Sequence, residues 1–300
     1  MAYLFCLIAQ AQDDVTFKGG VTQVRLDLLA SNDKGFILNL KPEDLVIQDN
    51  GNPVQLNYLG RDQDALNILL VLDVSGSMKD YLSQIGKRAR TLLSELRPND
   101  KVGVMIFAKE SDYLMPFTSN MDRAANAIDQ ALRPDLLPSG TSINAALVDA
   151  GDAFIENPKL TGHRAIFILT DNNALNYRVP DATVIRQLFA ADAILNSIVT
   201  KNAEPPKPVK NPESRNPDFS WADVFKLSAE TGGEVLRTDR ADEAFAKLLA
   251  NLRERYLITY NAPSAAPNQF RQIRVSLTKA AQKKYGKLTL RARSGYYTGS

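Results

Sequence analysis

The sequence predicts an α/β fold: a doubly wound, mostly parallel sheet inserted into a small β-sandwich formed by the N- and C-terminal segments. Short apolar runs alternate with helical patterns over residues 62–255, which is typical of a parallel sheet covered by helices on both faces. Two of these runs, 66–72 and 166–170, are each followed directly by Asp. Period-two alternation of apolar and polar residues over 13–61 and 256–300 indicates half-buried strands.

The amino-terminal segment 1–12 has features of a signal-peptide remnant. It is apolar and contains Ala9-Gln10-Ala11, the Ala-x-Ala form of a signal-peptidase site. Because it lacks a basic leading region, two interpretations stay open: the tail of a signal peptide that starts upstream, or an ordinary amino-terminal strand. Cleavage would also remove Cys6, the only cysteine. The first interpretation predicts an exported protein, whether periplasmic, on the cell surface or secreted.

The two flanking segments, 13–61 and 256–300, are predicted to be β-structure. In the first, Val24, Leu26 and Leu28 alternate with charged residues, the signature of a strand with one buried face. The second shows the same alternation at 273–277 and 288–292. Neither segment holds enough strands for a stable core of its own. We therefore expect them to pair into one sandwich, with the α/β domain of residues 62–255 inserted between its halves.

Within that domain, apolar spacing separates strands from helices. Strands are predicted over 66–72, 102–108, 113–117, 163–171, 194–200 and 235–236. Helices are predicted over 82–96, 121–132, 141–155, 182–193, 221–231 and 241–255. Residues 201–220 contain five prolines among mostly polar residues, which indicates a long loop. This loop follows a strand and leaves from the same sheet edge as Asp73 and Asp171, so it is a candidate specificity element.

Composition and charge exclude some classes of partner. The chain has 300 residues, of which 44% are hydrophobic and 23% charged, the normal range for a globular protein. A net charge of +2, from 36 basic and 34 acidic residues, provides no electrostatic reason to expect nucleic acid or an anionic membrane as partner. No apolar run in the sequence reaches the length of a transmembrane segment.

The loop after the first buried run concentrates oxygen donors. The run ends at Asp73, and Ser75 and Ser77 follow at a spacing of two residues around Gly76. The carboxyl ends of parallel strands form the edge at which ligands bind in open α/β sheets. Carboxylate and hydroxyl oxygens are hard ligands, which suit Mg²⁺ or Mn²⁺ better than Zn²⁺ or copper.

Two distant segments complete a pattern. Residues 139–142, Ser-Gly-Thr-Ser, open a helical pattern, and the second buried run leads into Asp171. The three segments together resemble the von Willebrand factor A family, which has a Rossmann-like α/β fold. The metal-ion-dependent adhesion site of that family has the form Asp-x-Ser-x-Ser, followed by a distant Thr and a distant Asp. Matched residue by residue, the resemblance implies a metal site formed by Asp73, Ser75, Ser77, Thr141 and Asp171.

A narrower resemblance covers nearly the whole chain. Residues 41–51, 256–260, 270–275 and 293–297 are similar to the flanking motifs of von Willebrand A-related proteins from Acidobacteria and other soil bacteria. Members of that group commonly carry export signals. One departure from the family pattern is Asn172, because a Gly often follows the last Asp. Since Asn tolerates left-handed backbone, we expect the turn to survive.

The resemblance implies a function as a binding module rather than an enzyme. In the family, the cation keeps an open coordination position, and an acidic residue of a partner protein commonly fills it. We therefore expect a divalent-cation-dependent adhesion module that binds Mg²⁺, or Mn²⁺, and a protein ligand with an exposed Asp or Glu. Binding should weaken at acid pH, because the carboxylates must be ionised to hold the metal.

Two alternatives remain. The first is a haloacid-dehalogenase-like phosphotransferase with Asp73 as nucleophile, but such enzymes use a second Asp where this chain has Ser75, so the proton-transfer group is missing. The second is a structural module with an idle metal site. A Ser-His-Asp hydrolase is disfavoured because the only histidine, His163, precedes its strand and is expected at the edge opposite Asp73.

Overall fold

The structure, a computed structural model, describes residues 23–61, 64–133, 136–177, 179–207 and 219–299. The predicted signal-peptide remnant, residues 1–12, lies outside these ranges. The first strands are β1 (Gln23–Asn32), β2 (Gly35–Phe36), β3 (Leu45–Asp49), β4 (Asn52–Val54) and β5 (Leu56–Gly60). They are followed by β6 (Leu66–Asp73), β7 (Lys101–Phe107), β8 (Ser111–Thr118), β9 (His163–Thr170), β10 (Leu175–Tyr177), β11 (Ala193–Thr200), β12 (Phe219–Trp221) and β13 (Val235–Thr238). The last strands are β14 (Tyr256–Asn261), β15 (Phe270–Leu277), β16 (Thr289–Arg291) and β17 (Gly295–Tyr297).

The helices alternate with the strands of the middle of the chain. They are α1 (Lys79–Leu93), α2 (Met121–Ala131), α3 (Ile143–Ile155), α4 (Asp181–Ala190), α5 (Val224–Glu230), α6 (Ala241–Arg253) and α7 (Lys279–Tyr285). Within the described ranges, no helix is both long and apolar enough to cross a membrane.

A six-stranded sheet forms the centre of the molecule, in the order β13-β11-β9-β6-β7-β8. Its strands are parallel except β8, which pairs antiparallel with β7. The sheet is therefore α/β and mostly parallel, as predicted. The carboxyl ends of β6 and β9 lie side by side, because Leu72 is the register partner of Leu169. This pairing positions Asp73 next to the turn that follows β9.

Helices cover both faces of this sheet, and β6 shows why its sequence is almost continuously apolar. All eight of its residues are buried. Ile68, Leu70 and Leu72 pack in the core that α1, α2 and α6 cover. Leu69 and Val71 point to the opposite face and pack in the core with α3, α4 and α5. A strand between two helical layers has no solvent-facing side, so alternation of polar and apolar residues disappears.

The early and late β segments hydrogen-bond to each other. Antiparallel pairs join β1 to β14 and β16, and join β3 to β15. Two antiparallel sheets result, with the orders β16-β1-β14-β5 and β17-β15-β3-β4, and β2 adds to β1. One apolar cluster contains residues of both sheets, among them Leu26 and Tyr260 from the first and Ile47 and Ile273 from the second.

Helix α7 lies in the segment 256–300, which was predicted to be β-structure. Its residues are mostly good helix formers, and the Thr278 hydroxyl accepts a hydrogen bond from the Ala281 amide at 3.3 Å, which caps the amino terminus. Gly286 follows it with a φ of 73°. The prediction was wrong here because the helix is short and buries only Ala281, so it leaves little apolar periodicity.

The helix predicted to begin at Trp221 begins later. Trp221 is the last residue of β12, and α5 begins at Val224 after Asp223, whose side chain accepts a hydrogen bond from the Lys226 amide. The short strand β12 pairs antiparallel with β10, and this two-stranded ribbon lies outside the central sheet. Pairing between residues so distant in sequence has no local signal.

Candidate metal centre

The candidate site lies where β6, β7 and β9 end. Asp73 is the last residue of β6 and pairs with Phe107, the last residue of β7. Asp171 directly follows β9, the neighbour of β6 on the other side. The predicted donors on these strands therefore reach the same edge of the central sheet, as the parallel arrangement requires.

Asp73 forms the buried floor of the site. Its side chain has no exposed surface. Oδ1 accepts a hydrogen bond from the Ser75 amide at 3.0 Å, and Oδ2 accepts one from the Thr170 hydroxyl at 2.7 Å. Burial raises the pKa of Asp73 above its usual value; the Ser75 and Thr170 hydrogen bonds oppose this shift, and the Asp171 carboxylate reinforces it. A bound cation would offset this buried negative charge.

Ser75, Ser77 and Asp171 form a connected row of oxygens above this floor. The two serine hydroxyl oxygens lie 3.2 Å apart, and the Ser77 hydroxyl donates to Asp171 Oδ2 at 2.8 Å. Ser77 is exposed, and Ser75 and Asp171 are partly exposed, so the row faces solvent. The backbone is fixed by a short helical turn from Gly76 to Met78, which buries Met78.

Thr141 lies at the same edge but is positioned differently. Its neighbour Ser142 donates its amide to the Ala108 carbonyl at 2.8 Å, which ties the start of α3 to the end of β7. Gly140 has a φ of 137°, a conformation that side chains disfavour. Hydrogen bonds join the side chains of Ser75, Ser77 and Asp171, and Asp73 accepts from the Ser75 amide and the Thr170 hydroxyl. The backbone of its neighbours Gly140 and Ser142 places Thr141 at this edge.

The donor set is suited to a small hard cation. In an octahedral Mg²⁺ site with Mg–O distances of about 2.1 Å, adjacent ligand oxygens lie about 3.0 Å apart. The Ser75–Ser77 and Ser77–Asp171 separations, 3.2 and 2.8 Å, bracket that distance. Within the described part of the chain, no group of three or more His, Cys, Asp or Glu side chains is arranged to hold a metal. The candidate site accordingly depends on hydroxyl oxygens.

Thr170 belongs to this site but was not among the predicted site residues. It is fully buried in β9, and its hydroxyl holds Asp73 Oδ2 while accepting the Asn172 amide at 3.2 Å. A polar residue within the apolar run 166–170 was the available signal, because a buried hydroxyl needs a hydrogen-bond partner.

Asn172 confirms the prediction that the turn survives without Gly. Its φ is 58°, in the left-handed region. Its side chain also has a role that Gly could not supply: the amide Nδ2 donates to the Glu204 carbonyl at 3.0 Å, and Oδ1 accepts the Val224 amide at 3.2 Å. The described start of the 201–220 loop is therefore attached directly behind Asp171. Residues 208–218 of that loop lie outside the described ranges.

A cleft of about 540 Å³ adjoins Asp171 on this side. The cleft is lined by Trp221 and by residues at the start of the loop, including Glu204 and Lys207. Trp221 is the only tryptophan in the sequence and is 54% exposed. The structure thus places the described start of the predicted specificity loop beside the candidate metal site.

His163 lies at the opposite edge, as predicted from its position before the strand. It is the first residue of β9, and its ring is buried rather than on the surface. Its Nδ1 lies 2.7 Å from Oδ1 of Asp27, which belongs to β1. At the candidate site itself, the position of a second catalytic carboxylate is held by Ser75, whose hydroxyl contacts Ser77.

Comparison with known families agrees with this geometry. Residues 68–173 match the family described as von Willebrand factor type A domain. Domains of this family are in general protein-interaction modules. The matched range contains every predicted ligand: Asp73, Ser75, Ser77, Thr141 and Asp171.

Solved structures with similar chains include two from Bacteroides. An aerotolerance-related membrane protein from Bacteroides fragilis, solved with multiple mutations to serines, is 21% identical with a TM-score of 0.49, over 63% of this chain and 100% of that one. BatB from Bacteroides thetaiotaomicron, described as a conserved hypothetical protein, is 22% identical with a TM-score of 0.45, over 63% and 98%. A von Willebrand factor type A protein from Catenulispora acidiphila is 10% identical with a TM-score of 0.46, over 94% and 75%. No curated protein matches the sequence.

Proposed function

We propose that this protein is a divalent-cation-dependent protein-binding module of the adhesion type. The observation that carries the proposal is the solvent-facing row of Ser75, Ser77 and Asp171 oxygens above the buried carboxylate of Asp73. The proposed cation is Mg²⁺, or Mn²⁺, and its proposed ligands, direct or through water, are Asp73, Ser75, Ser77, Thr141 and Asp171.

Charge explains why the ligand should be acidic. Two carboxylates balance a divalent cation, and the remaining donors are neutral hydroxyls. An Asp or Glu of a partner protein can therefore take an open coordination position without competing against a large excess of negative charge at the site. The exposed position of Ser77 leaves room for the approach of such a side chain.

The narrower predictions belong to the same proposal. We infer that residues 13–61 and 256–300 together form one small sandwich around the inserted domain of 62–255; support comes from the strand pairs between the two segments and their common apolar cluster. The motifs in these segments support kinship with the Acidobacteria-type proteins. Export to the periplasm, cell surface or medium is proposed from the Ala9-Gln10-Ala11 sequence.

Calorimetric titration of the metal-free protein with Mg²⁺, Mn²⁺ and Ca²⁺ tests the site. We expect saturable binding of Mg²⁺ or Mn²⁺ to the wild type, and loss of that binding in Asp73→Asn. The matched control is Asp122→Asn, which changes an exposed aspartate in the first turn of α2, after the antiparallel strand β8 and thus at the opposite edge of the sheet. Equal binding by wild type and Asp73→Asn would contradict the proposed site.

A further inference from the structure

A second cavity of about 500 Å³ opens directly beside the candidate metal site. It lies between the first two turns of α1, the end of α2 and residues 136–140. Its size is within the range of about 300–1,000 Å³ that is usual for ligand pockets. The cavity is separate from the cleft that Trp221 lines, on the other side of the site.

The wall of this cavity is largely apolar. Aliphatic side chains line it from three directions: Leu82 from α1, Leu132 from the end of α2, and Leu136 and Leu137 from the following loop. Leu132 is 37% exposed, one of the few large apolar side chains with so much surface in the described ranges. A complex is stabilised when a partner side chain covers apolar surface of this kind.

The rim of the cavity has two features that fit an acidic ligand. Ser75, Gly76 and Gly140 belong to both the cavity and the loops of the metal site, so the two are contiguous. Lys79 and Arg133 also line the cavity, and both residues are exposed. Two positively charged side chains beside the proposed carboxylate-binding site attract acidic partners and repel basic ones.

We propose that this cavity is a specificity pocket, which receives an aliphatic or aromatic side chain located one or two residues from the partner carboxylate that binds the metal. Lys79 and Arg133 attract the acidic segment, and the leucine-lined wall selects the neighbouring side chain. The inference rests on the proposed function and extends it, because it specifies the chemistry of the partner: an acidic residue adjacent to a bulky apolar one.

Short synthetic peptides test this proposal. Fluorescently labelled peptides contain a single Asp in a Gly-Ser background, with Leu, Phe or Ala placed one or two positions before or after it. Binding is measured by fluorescence anisotropy in excess Mg²⁺ and in excess chelator, with Mg²⁺ calorimetry on the same protein. We expect at least one Leu or Phe peptide to bind about tenfold or more tightly than its Ala counterpart, because burial of such a side chain has that effect.

Two variants locate the preference. Leu132→Asp places a carboxylate in the cavity wall and should abolish the advantage of the Leu or Phe peptide. The matched control is Ile155→Asp, which makes the same kind of change at a 42% exposed residue at the end of α3. Ser83→Phe, which fills the cavity from α1 without a charge, is the second variant if Leu132→Asp unfolds.

The outcomes separate the two proposals. Mg²⁺-dependent binding of Asp peptides with no preference for the neighbouring residue, or a preference that survives Leu132→Asp or Ser83→Phe, overturns the pocket but leaves the adhesion site. Failure of the wild type to bind Mg²⁺, or binding of peptides that is equal in chelator, overturns the proposed function and the pocket with it. A preference that is removed by each cavity variant that folds, and is kept by Ile155→Asp, supports the pocket.

Discussion

Asp73 and Asp49 are both completely buried, but their surroundings differ. Asp49 Oδ1 accepts a hydrogen bond from Arg271 Nε at 2.6 Å, and Oδ2 accepts the hydroxyls of Tyr260 and Tyr296 at 3.0 and 2.9 Å. Burial and the neighbouring Asp49 raise the pKa of Tyr296 to about 12, so its hydroxyl remains a donor. Asp73 has neutral donors only. We infer that Arg271 balances the charge of Asp49, whereas a bound cation would balance the charge of Asp73.

For Asp73→Asn we expect no loss of stability in the metal-free protein. The substitution removes an uncompensated buried charge, and the amide can still accept from the Ser75 backbone. The free energy of unfolding at pH 7 should stay level or rise, because the asparagine carries no buried charge. Urea denaturation in chelator measures this. Added Mg²⁺ should stabilise the wild type and not the variant. A clear loss of stability in chelator would show that the negative charge of Asp73 has a structural role.

For Asp49→Asn we expect the opposite result. This isosteric change leaves the guanidinium of Arg271, whose side chain is 10% exposed, without its carboxylate. Removal of one partner of a buried ion pair typically lowers the free energy of unfolding by about 3–5 kcal/mol. The same urea experiment, with Asp73→Asn as the chemically matched control, gives the comparison. Similar values for the two variants would contradict the assignment of different roles.

Asn172 connects three elements at the edge of the site. Its backbone turns the chain after β9, and its side chain holds the loop after β11 and the start of α5. The left-handed turn alone would be compatible with Gly. The side-chain bonds therefore explain the presence of Asn at this position, because they hold the loop start, which lines the cleft beside Asp171.

Asn172→Gly should keep the turn but loosen the loop start at Glu204 and the start of α5 at Val224. It leaves the Val224 amide and the Glu204 carbonyl without these partners, at a cost of about 1–3 kcal/mol. Hydrogen exchange should increase in residues 201–207 and in α5. The control is Asn268→Gly, at an exposed Asn with a similar φ of 59°. Unchanged exchange in both regions would show that the side chain of Asn172 does not hold the loop.

Buried charges join the small sheets to the amino-terminal edge of the central sheet. Asp27 of β1 contacts His163 of β9. The buried Arg255 donates to the Gly232 carbonyl at 2.8 Å and to the Asp27 carbonyl at 3.4 Å. Burial would raise the pKa of Asp27, but the hydrogen bond and charge of His163 and the charge of Arg255 outweigh it and lower that pKa below 3.8.

This contact predicts a component of acid sensitivity. Because the folded-state pKa of Asp27 is depressed, its contribution to stability is present above the usual value of 3.8 and is lost as pH falls through the lower folded value. The unfolding free energy of the wild type should therefore decrease more steeply than that of Asp27→Asn as pH falls below about 4. Urea denaturation from pH 6 to 3 measures both slopes, with Asp33→Asn, in an exposed turn, as control. Parallel slopes for wild type and Asp27→Asn would contradict this role.

The central sheet and the kinds of residue at its edge follow from local sequence patterns. Run 66–72 is apolar because β6 is buried on both faces, and this signal needs no knowledge of distant residues. The same holds for the left-handed turn at Asn172 and for the location of His163 at the opposite edge. The five predicted ligands all lie at strand ends or in the loop that opens a helix, where the sequence pattern put them.

How these parts meet depends on packing between distant segments. Four features join residues that are far apart in the chain or lack a periodic pattern. They are the hydrogen bond from Thr170 to Asp73, the bond from Asn172 to Glu204, the cavity lined by Leu132, and the contact of Asp27 with His163. Helix α7 was missed for a related reason, because one buried residue is too few for a hydrophobic period. Local patterns report which face of an element is buried. They do not report which partner buries it, since that choice depends on packing across the whole fold.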